Sequence, residues 1–208
     1  MEIRKAREKN VQPLKTQPEI EDMEYMLRRN TTTGKRDEFL FKLGVATGLR
    51  ISDLVKLKVK DVRNQRAVKI KEKKTQKVRD VYLELAYDAI DEYTKGMFND
   101  AWLFPSRKGN KPISETQAYR ILVRAGESLG REDIGTHTMR KTFGYWHYQT
   151  NGDIVKLMRL LRHSSPEVTR AYIGLTEEEI EDSISIMKRV IEGVRREEAK
   201  LKKRKLKY

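Results

Sequence analysis

The chain has no cysteine, which excludes disulfides, thiolate metal sites and a cysteine nucleophile, and which fits a reducing compartment such as the cytoplasm. Histidines number only three, and no cluster of carboxylates and histidines is spaced for metal ligation, so neither a metal nor a cofactor is expected. No apolar run is long enough to cross a membrane and no charged-then-apolar leader is present, so neither a span nor a signal peptide is expected. Acidic residues are in the minority. Against 45 Lys and Arg stand 31 Asp and Glu, a formal net charge of +14 in 208 residues. The 38% apolar fraction still suffices for one packed core, because Leu, Ile, Val and aromatics are spread along the whole chain. A protein this basic works most often against a polyanion, usually nucleic acid.

The hydropathy pattern is mostly helical. Residues 1–15 carry Arg4, Lys5, Arg7, Lys9 and Lys15 without an apolar period and read as a basic arm or linker. Pro18 and Glu19 open a helix with Ile20, Met23 and Leu27 on one face. A second helix carries Phe39, Leu40, Leu43 and Ala46 and stops near Gly48, and Ser52 can cap a short third one over Asp53–Leu57. The period then changes to two. Residues 68–71 alternate, residues 78–83 are rich in β-branched and apolar residues, and Trp102-Leu103-Phe104 offers a third strand. Past this point helices resume. Ser114 with Gln117 and Thr176 with Glu179 form capping boxes, Thr136 can cap a helix ending near Asn151-Gly152, residues 154–161 form another, and Ser165-Pro166 opens one ending at Gly174. The expected fold is mainly α with a small three-stranded antiparallel β-sheet.

Four short motifs stand out by their order. Gly48-Leu49-Arg50-Ile51-Ser52-Asp53-Leu54 places an arginine at a helix junction. His137-Thr138-Met139-Arg140 sets His and Arg three apart on one helical face. His163 follows Arg140 by 163 − 140 = 23 positions, and Tyr172 follows His163 by 172 − 163 = 9. Each motif alone has a bland reading as a capping arginine, a solvated helix face or half-buried packing, and the constellation overturns it. The combination resembles the tyrosine recombinase (phage integrase) family, whose pattern is an Arg in a G-L-R-x-x-[DE]-L box, then H-x-x-R, then a second His or Trp, then the nucleophilic Tyr.

The resemblance implies the tyrosine recombinase catalytic-domain fold over residues 16–174, followed at 175–208 by a C-terminal helix and basic tail that can dock onto a neighbouring protomer. It implies catalysis by Arg50, Lys74, His137, Arg140, His163 and Tyr172, with Asp53 holding the site together. The chemistry suits those residue types. A tyrosine phenol can form a covalent intermediate with DNA, and arginines can clamp the charge on two non-bridging oxygens. His137 can accept or relay the Tyr172 proton, and His163 can donate to a non-bridging oxygen. In the family a lysine between two strands protonates the leaving 5′-oxygen. Lys74-Thr75 fits that place, with Lys71, Lys73 and Lys77 as competitors. Lys73, Lys77 and Lys141 are also candidate DNA contacts.

The expected partners are double-stranded DNA and further copies of the chain, as a tetramer on paired sites, with no membrane. Arg162 stands where many members have Gly, and few residues precede the catalytic part, whereas members usually carry an N-terminal helical domain. An excised catalytic part and a short recombinase both fit. Competing functions are a catalytically idle DNA-binding regulator, a type IB topoisomerase and a generic RNA-binding protein. All six catalytic positions are occupied, which speaks against the first. The short chain and the segment Leu160–Ser165 speak against the second, and a generic binder gives no reason for the spacing.

Overall fold

The computed structural model describes residues 11–29, 32–71, 78–176, 179, 185, 187–189 and 191–194. Two units are distinguished, Met1–Ile173 and Gly174–Tyr208. In the first, helix α1 (Gln17–Arg28) opens on a reciprocal capping box. The Thr16 hydroxyl accepts from the Glu19 amide, and the Glu19 carboxylate accepts from the Thr16 amide at 2.9 Å. Glu19 is also ion-paired to Arg131, which ties this helix start to a distant loop. The stretch 11–15, read from sequence as the end of an arm, is packed. Val11 and Leu14 are buried, the Leu14 amide donates to Thr142 Oγ1 at 2.9 Å, and Trp146 Nε1 donates to the Leu14 carbonyl at 3.1 Å.

Helix α2 (Gly34–Thr47) runs through the core and is buried on nearly every side, through Phe39, Leu40, Phe41, Leu43, Gly44 and Thr47. Phe39 stacks on Tyr93 at 4.2 Å between ring centroids and lies 5.8 Å from Phe104. Its buried Asp37 accepts from Arg36 and from the Thr33 hydroxyl, so the charge is not left without partners. The helix ends on Gly48 in the left-handed conformation (φ 60°). Helix α3 covers Ile51–Leu54, shorter and earlier than expected, because the backbone turns at Arg50 and places Ser52 inside the helix. A second four-residue helix, α4 (Val59–Val62), follows.

Strands β1 (Ala67–Lys71) and β2 (Val78–Tyr82) pair antiparallel with Lys69 opposite Asp80 and Ile70 opposite Arg79. Val68, Ile70 and Val81 point inward by the period of two. The third strand does not join this sheet. Trp102 bridges Lys58, Leu103 donates its amide to the Leu57 carbonyl at 2.9 Å, and Leu103 and Phe104 are fully buried. Their apolar side chains are drawn to the core beside α4, and Pro105, without an N–H, cannot extend a ladder.

A short 3₁₀ turn (Glu84–Ala86) leads into α5 (Tyr87–Thr94). Helix α6 (Glu115–Ser128) opens on the expected Ser114–Gln117 capping box. Helix α7 (Thr136–Asn151) is capped by Gly135 rather than by Thr136 and ends on Gly152 at φ 65°. Helices α8 (Ile154–Leu161) and α9 (Pro166–Ile173) complete the unit. Two glycines set how α7 packs. A Cβ on Gly44 of α2 would lie 2.4 Å from Met139 Sδ, and one on Gly144 of α7 would lie 2.7 Å from Ile173 Cγ2. Only glycine permits either approach. In the second unit the Thr176–Glu179 capping box is formed, and the described residues of 179–194 are helical.

Candidate active site

Three approaches built by these elements converge near the start of α7. This helix presents His137, Arg140 and Lys141 at i, i+3 and i+4, hence on one face. Helix α9 reaches that face through the gap at Gly144 and carries Tyr172 one residue before the buried Ile173. His137 Nδ1 lies 3.1 Å from the Tyr172 hydroxyl. Arg140 is buried, and its charge acts on the Tyr172 phenol. Burial keeps the phenol protonated, so its hydroxyl can donate to His137 Nδ1 in the tautomer that leaves that nitrogen bare.

Arg140 is the centre of the arrangement. It donates to the carbonyls of Gly48 and Leu161, which fixes α7 to the end of α2 and the end of α8. All of these acceptors are neutral. Burial, with the charges of Arg50 and Arg79 added, pushes its pKa down to about 10, so the group remains cationic at neutral pH. Arg50 sits exposed at the turn between α2 and α3, close enough for its charge to act on Arg140, His163 and Tyr172. Asp53 is half-buried one turn on, with Ser52 Oγ at 3.5 Å from its carboxylate.

His163 lies in the turn between α8 and α9, its ring edge-on to Tyr172 at 4.7 Å. Its Nδ1 is 3.2 Å from Thr169 Oγ1, and that hydroxyl gives its only proton to the Ser165 carbonyl at 2.9 Å. Thr169 therefore accepts, His163 Nδ1 carries a proton, and Nε2 is left as the second functional atom. Burial, then the Arg140 and Arg50 charges, lowers the His163 pKa, so the ring is neutral at pH 7 and Nε2 is a bare acceptor until it takes up a proton. Burial raises the Tyr172 pKa more than the two arginines lower it, so the phenol is protonated and needs a base.

Five of the six expected catalytic residues are thus brought together. The sixth, Lys74, lies with Lys73 and Lys77 in the stretch 72–77 between the strands, outside the described residues. Lys141 stands beside Tyr172, its ammonium 5.3 Å from the ring centroid. The sequence reading missed Arg79, Thr169 and Gly144. Arg79 has a readable trace, since it occupies the inward parity of β2 with Val81, where a charged residue is out of place unless it faces a site. Thr169 and Gly144 carry no such trace. His147, the third histidine, sits on α7 with a buried ring nitrogen, near Phe143. Among the described residues no group of His, Asp and Glu is placed to hold a metal.

A phenol protonated by burial, a base beside it and converging arginine charges form a site for attack on a phosphodiester. The model of the phage integrase family matches residues 16–179. The chain belongs to the phage integrase family. Among its relatives, the probable integrase/recombinase YoeC of Bacillus subtilis (strain 168) is 48% identical over 170 residues, covering 81% of this chain and 92% of that protein. The tyrosine recombinase XerD of Corynebacterium glutamicum is 30% identical over 162 residues, covering 73% of this chain and 52% of XerD. The chain thus spans most of YoeC and about half of XerD.

Among solved structures, XerH bound to palindromic difH in its post-cleavage complex superposes with a TM-score of 0.66 at 25% identity. That match covers 85% of this chain and 52% of XerH. XerA recombinase superposes at 0.68 with 20% identity, which speaks for the fold. The tyrosine recombinase catalytic-domain fold, mainly helical with a small antiparallel sheet, is therefore the fold of this integrase-family chain, with two strands paired where three were expected.

Proposed function

We propose that this tyrosine recombinase cuts and rejoins DNA strands at specific sites through a 3′-phosphotyrosyl intermediate at Tyr172, without metal or nucleotide. The observation that carries the reading is the Tyr172 hydroxyl 3.1 Å from His137 Nδ1, beside a buried arginine whose acceptors are all neutral. In the cleavage step the Tyr172 oxygen attacks phosphorus and its proton passes to His137. The bond from phosphorus to the 5′-oxygen breaks, and Lys74 gives that oxygen its proton. Arg50 and Arg140 clamp the non-bridging oxygens, where charge accumulates. The incoming phosphate favours protonation of His163, whose Nε2 then donates to it. Attack by the 5′-hydroxyl of a second strand runs the step backwards and restores the phosphodiester, so bond energy is conserved and no ATP is needed.

Residues 16–174 form the catalytic part in this reading, and 175–208 dock a neighbouring copy when two DNA sites are paired. Met187, Ile191 and Val194, exposed and spaced for one helical face, support that docking role. The difH site on which XerH is bound is palindromic, and a two-fold substrate calls for paired copies. The test is incubation with a nicked suicide duplex in EDTA. Wild type should form a covalent protein–DNA adduct and Tyr172→Phe none, with DNA binding nearly unchanged. An adduct with the Phe variant, or a strict Mg²⁺ requirement, would overturn the reading.

A further inference from the structure

We propose that Lys141 is a positioning residue, whose ammonium over the Tyr172 ring holds the phenol docked against His137 before DNA arrives. The inference rests on Tyr172 being the nucleophile. Tyr172 sits in the last turn of an eight-residue helix, two residues before Gly174 at φ 69°, so its backbone alone is a weak restraint on ring direction. Three side chains surround the ring. His163 meets it edge-on at 4.7 Å and 71°, His137 at 6.2 Å and 84°, and Lys141 Nζ lies 5.3 Å from its centroid.

The last contact is within cation–π range, where the negative face of an aromatic ring attracts an ammonium. A lysine on an open surface keeps its ammonium in water. Lys141 is half-buried instead, and burial pulls its pKa down. Among the described residues the ring face is the partner the geometry offers its ammonium. The His137 contact holds the phenol oxygen, and Lys141 holds the plane behind it. The site is thereby assembled in the free protein, which lowers the cost of reaching the attacking geometry.

The experiment compares Lys141→Met and Lys141→Arg with wild type. The readouts are single-turnover adduct formation at saturating suicide duplex, DNA affinity over a salt series, and melting temperature. Met keeps the length without the charge, and Arg keeps a cation that stacks on aromatic faces. The expected result is a fall in the saturating rate for the Met variant of about tenfold, within the roughly 2- to 30-fold that a cation–π contact supports. Affinity, its salt slope and the melting temperature should not change, and the Arg variant should recover most of the rate.

Weaker binding with a shallower salt slope and a normal saturating rate would make Lys141 a phosphate contact and overturn the proposal. Equal rate losses in both variants would make its role purely steric and overturn it as well. Both of those results leave the phosphotyrosyl reading standing. Absence of any adduct with wild type would overturn both.

Discussion

Substituting Gly144 with alanine tests whether the approach of α9 to α7 is what places the nucleophile. The added Cβ would sit 2.7 Å from Ile173 Cγ2 and 3.2 Å from Leu161 Cδ1. Carbon atoms prefer separations of about 3.5–4.0 Å, so α9 must retreat by about 1 Å at Ile173. Ile173 and Leu161 are at most 1% exposed, and neither can swing aside into solvent. Tyr172 precedes Ile173 directly, so the retreat lengthens its 3.1 Å contact with His137 beyond hydrogen-bonding range.

The two consequences differ in size. Overpacking costs about 1–3 kcal/mol, while alanine in place of glycine inside a helix returns about 1 kcal/mol. The net loss of stability is therefore about 0–2 kcal/mol, at most roughly 8 °C in melting temperature for a protein of this size. A misplacement of about 1 Å at reacting groups can cost about 100-fold in rate. Single-turnover adduct formation on a saturating suicide duplex, measured beside thermal melts, should show a large rate loss with a folded protein. Ile173→Ala removes the obstructing methyl, so the double variant should lose less than the product of the two single losses. A Gly144→Ala protein cutting at the wild-type rate would refute the argument.

Arg140→Lys should slow adduct formation by about 10²–10³, because a compact ammonium lacks the planar fork whose separate nitrogens reach the Gly48 and Leu161 carbonyls and leave donors for a phosphate oxygen. A gel-based rate at saturating DNA checks it. DNA affinity should fall by roughly 10³–10⁵ between 50 and 200 mM salt if about six to ten phosphates are contacted, measured by anisotropy on specific and random duplexes. Burial lowers the pKa of both His147 and His163, so each favours its neutral form in the folded state. Their contribution to stability is present above the unfolded histidine value near 6.5 and is lost as pH falls below it. Melts from pH 7.5 to 5.5 should show declining stability, with a smaller decline in His147→Asn. Phe39→Ala, which removes the stack on Tyr93 and Phe104, should cost about 3–5 kcal/mol in a denaturant titration.

The chain's local contacts were legible because they span three or four residues. Ser114 with Gln117 and Thr176 with Glu179 close as capping boxes, and Gly48 and Gly152 end their helices in the left-handed conformation that glycine adopts without strain. Alternation in 68–71 and the β-branched and apolar content of 78–83 marked the two strands, and the order of Arg50, His137, Arg140, His163 and Tyr172 was written in the spacing. Whether Trp102–Phe104 joins the sheet was not written there, since its partner depended on which side of the core claimed Leu103 and Phe104. Nor could Leu14 be placed from sequence, because its bonds reach Thr142 and Trp146.

Only the tertiary structure set the Tyr172 hydroxyl against His137, assigned the His163 proton through Thr169 and put Lys141 over the ring. The contacts of Tyr172 with His137 and Lys141 depend on a helix crossing whose distance is set by the missing side chain of Gly144. A sequence records that this side chain is absent; which neighbour fills the space follows only from the packing of α9 against α7.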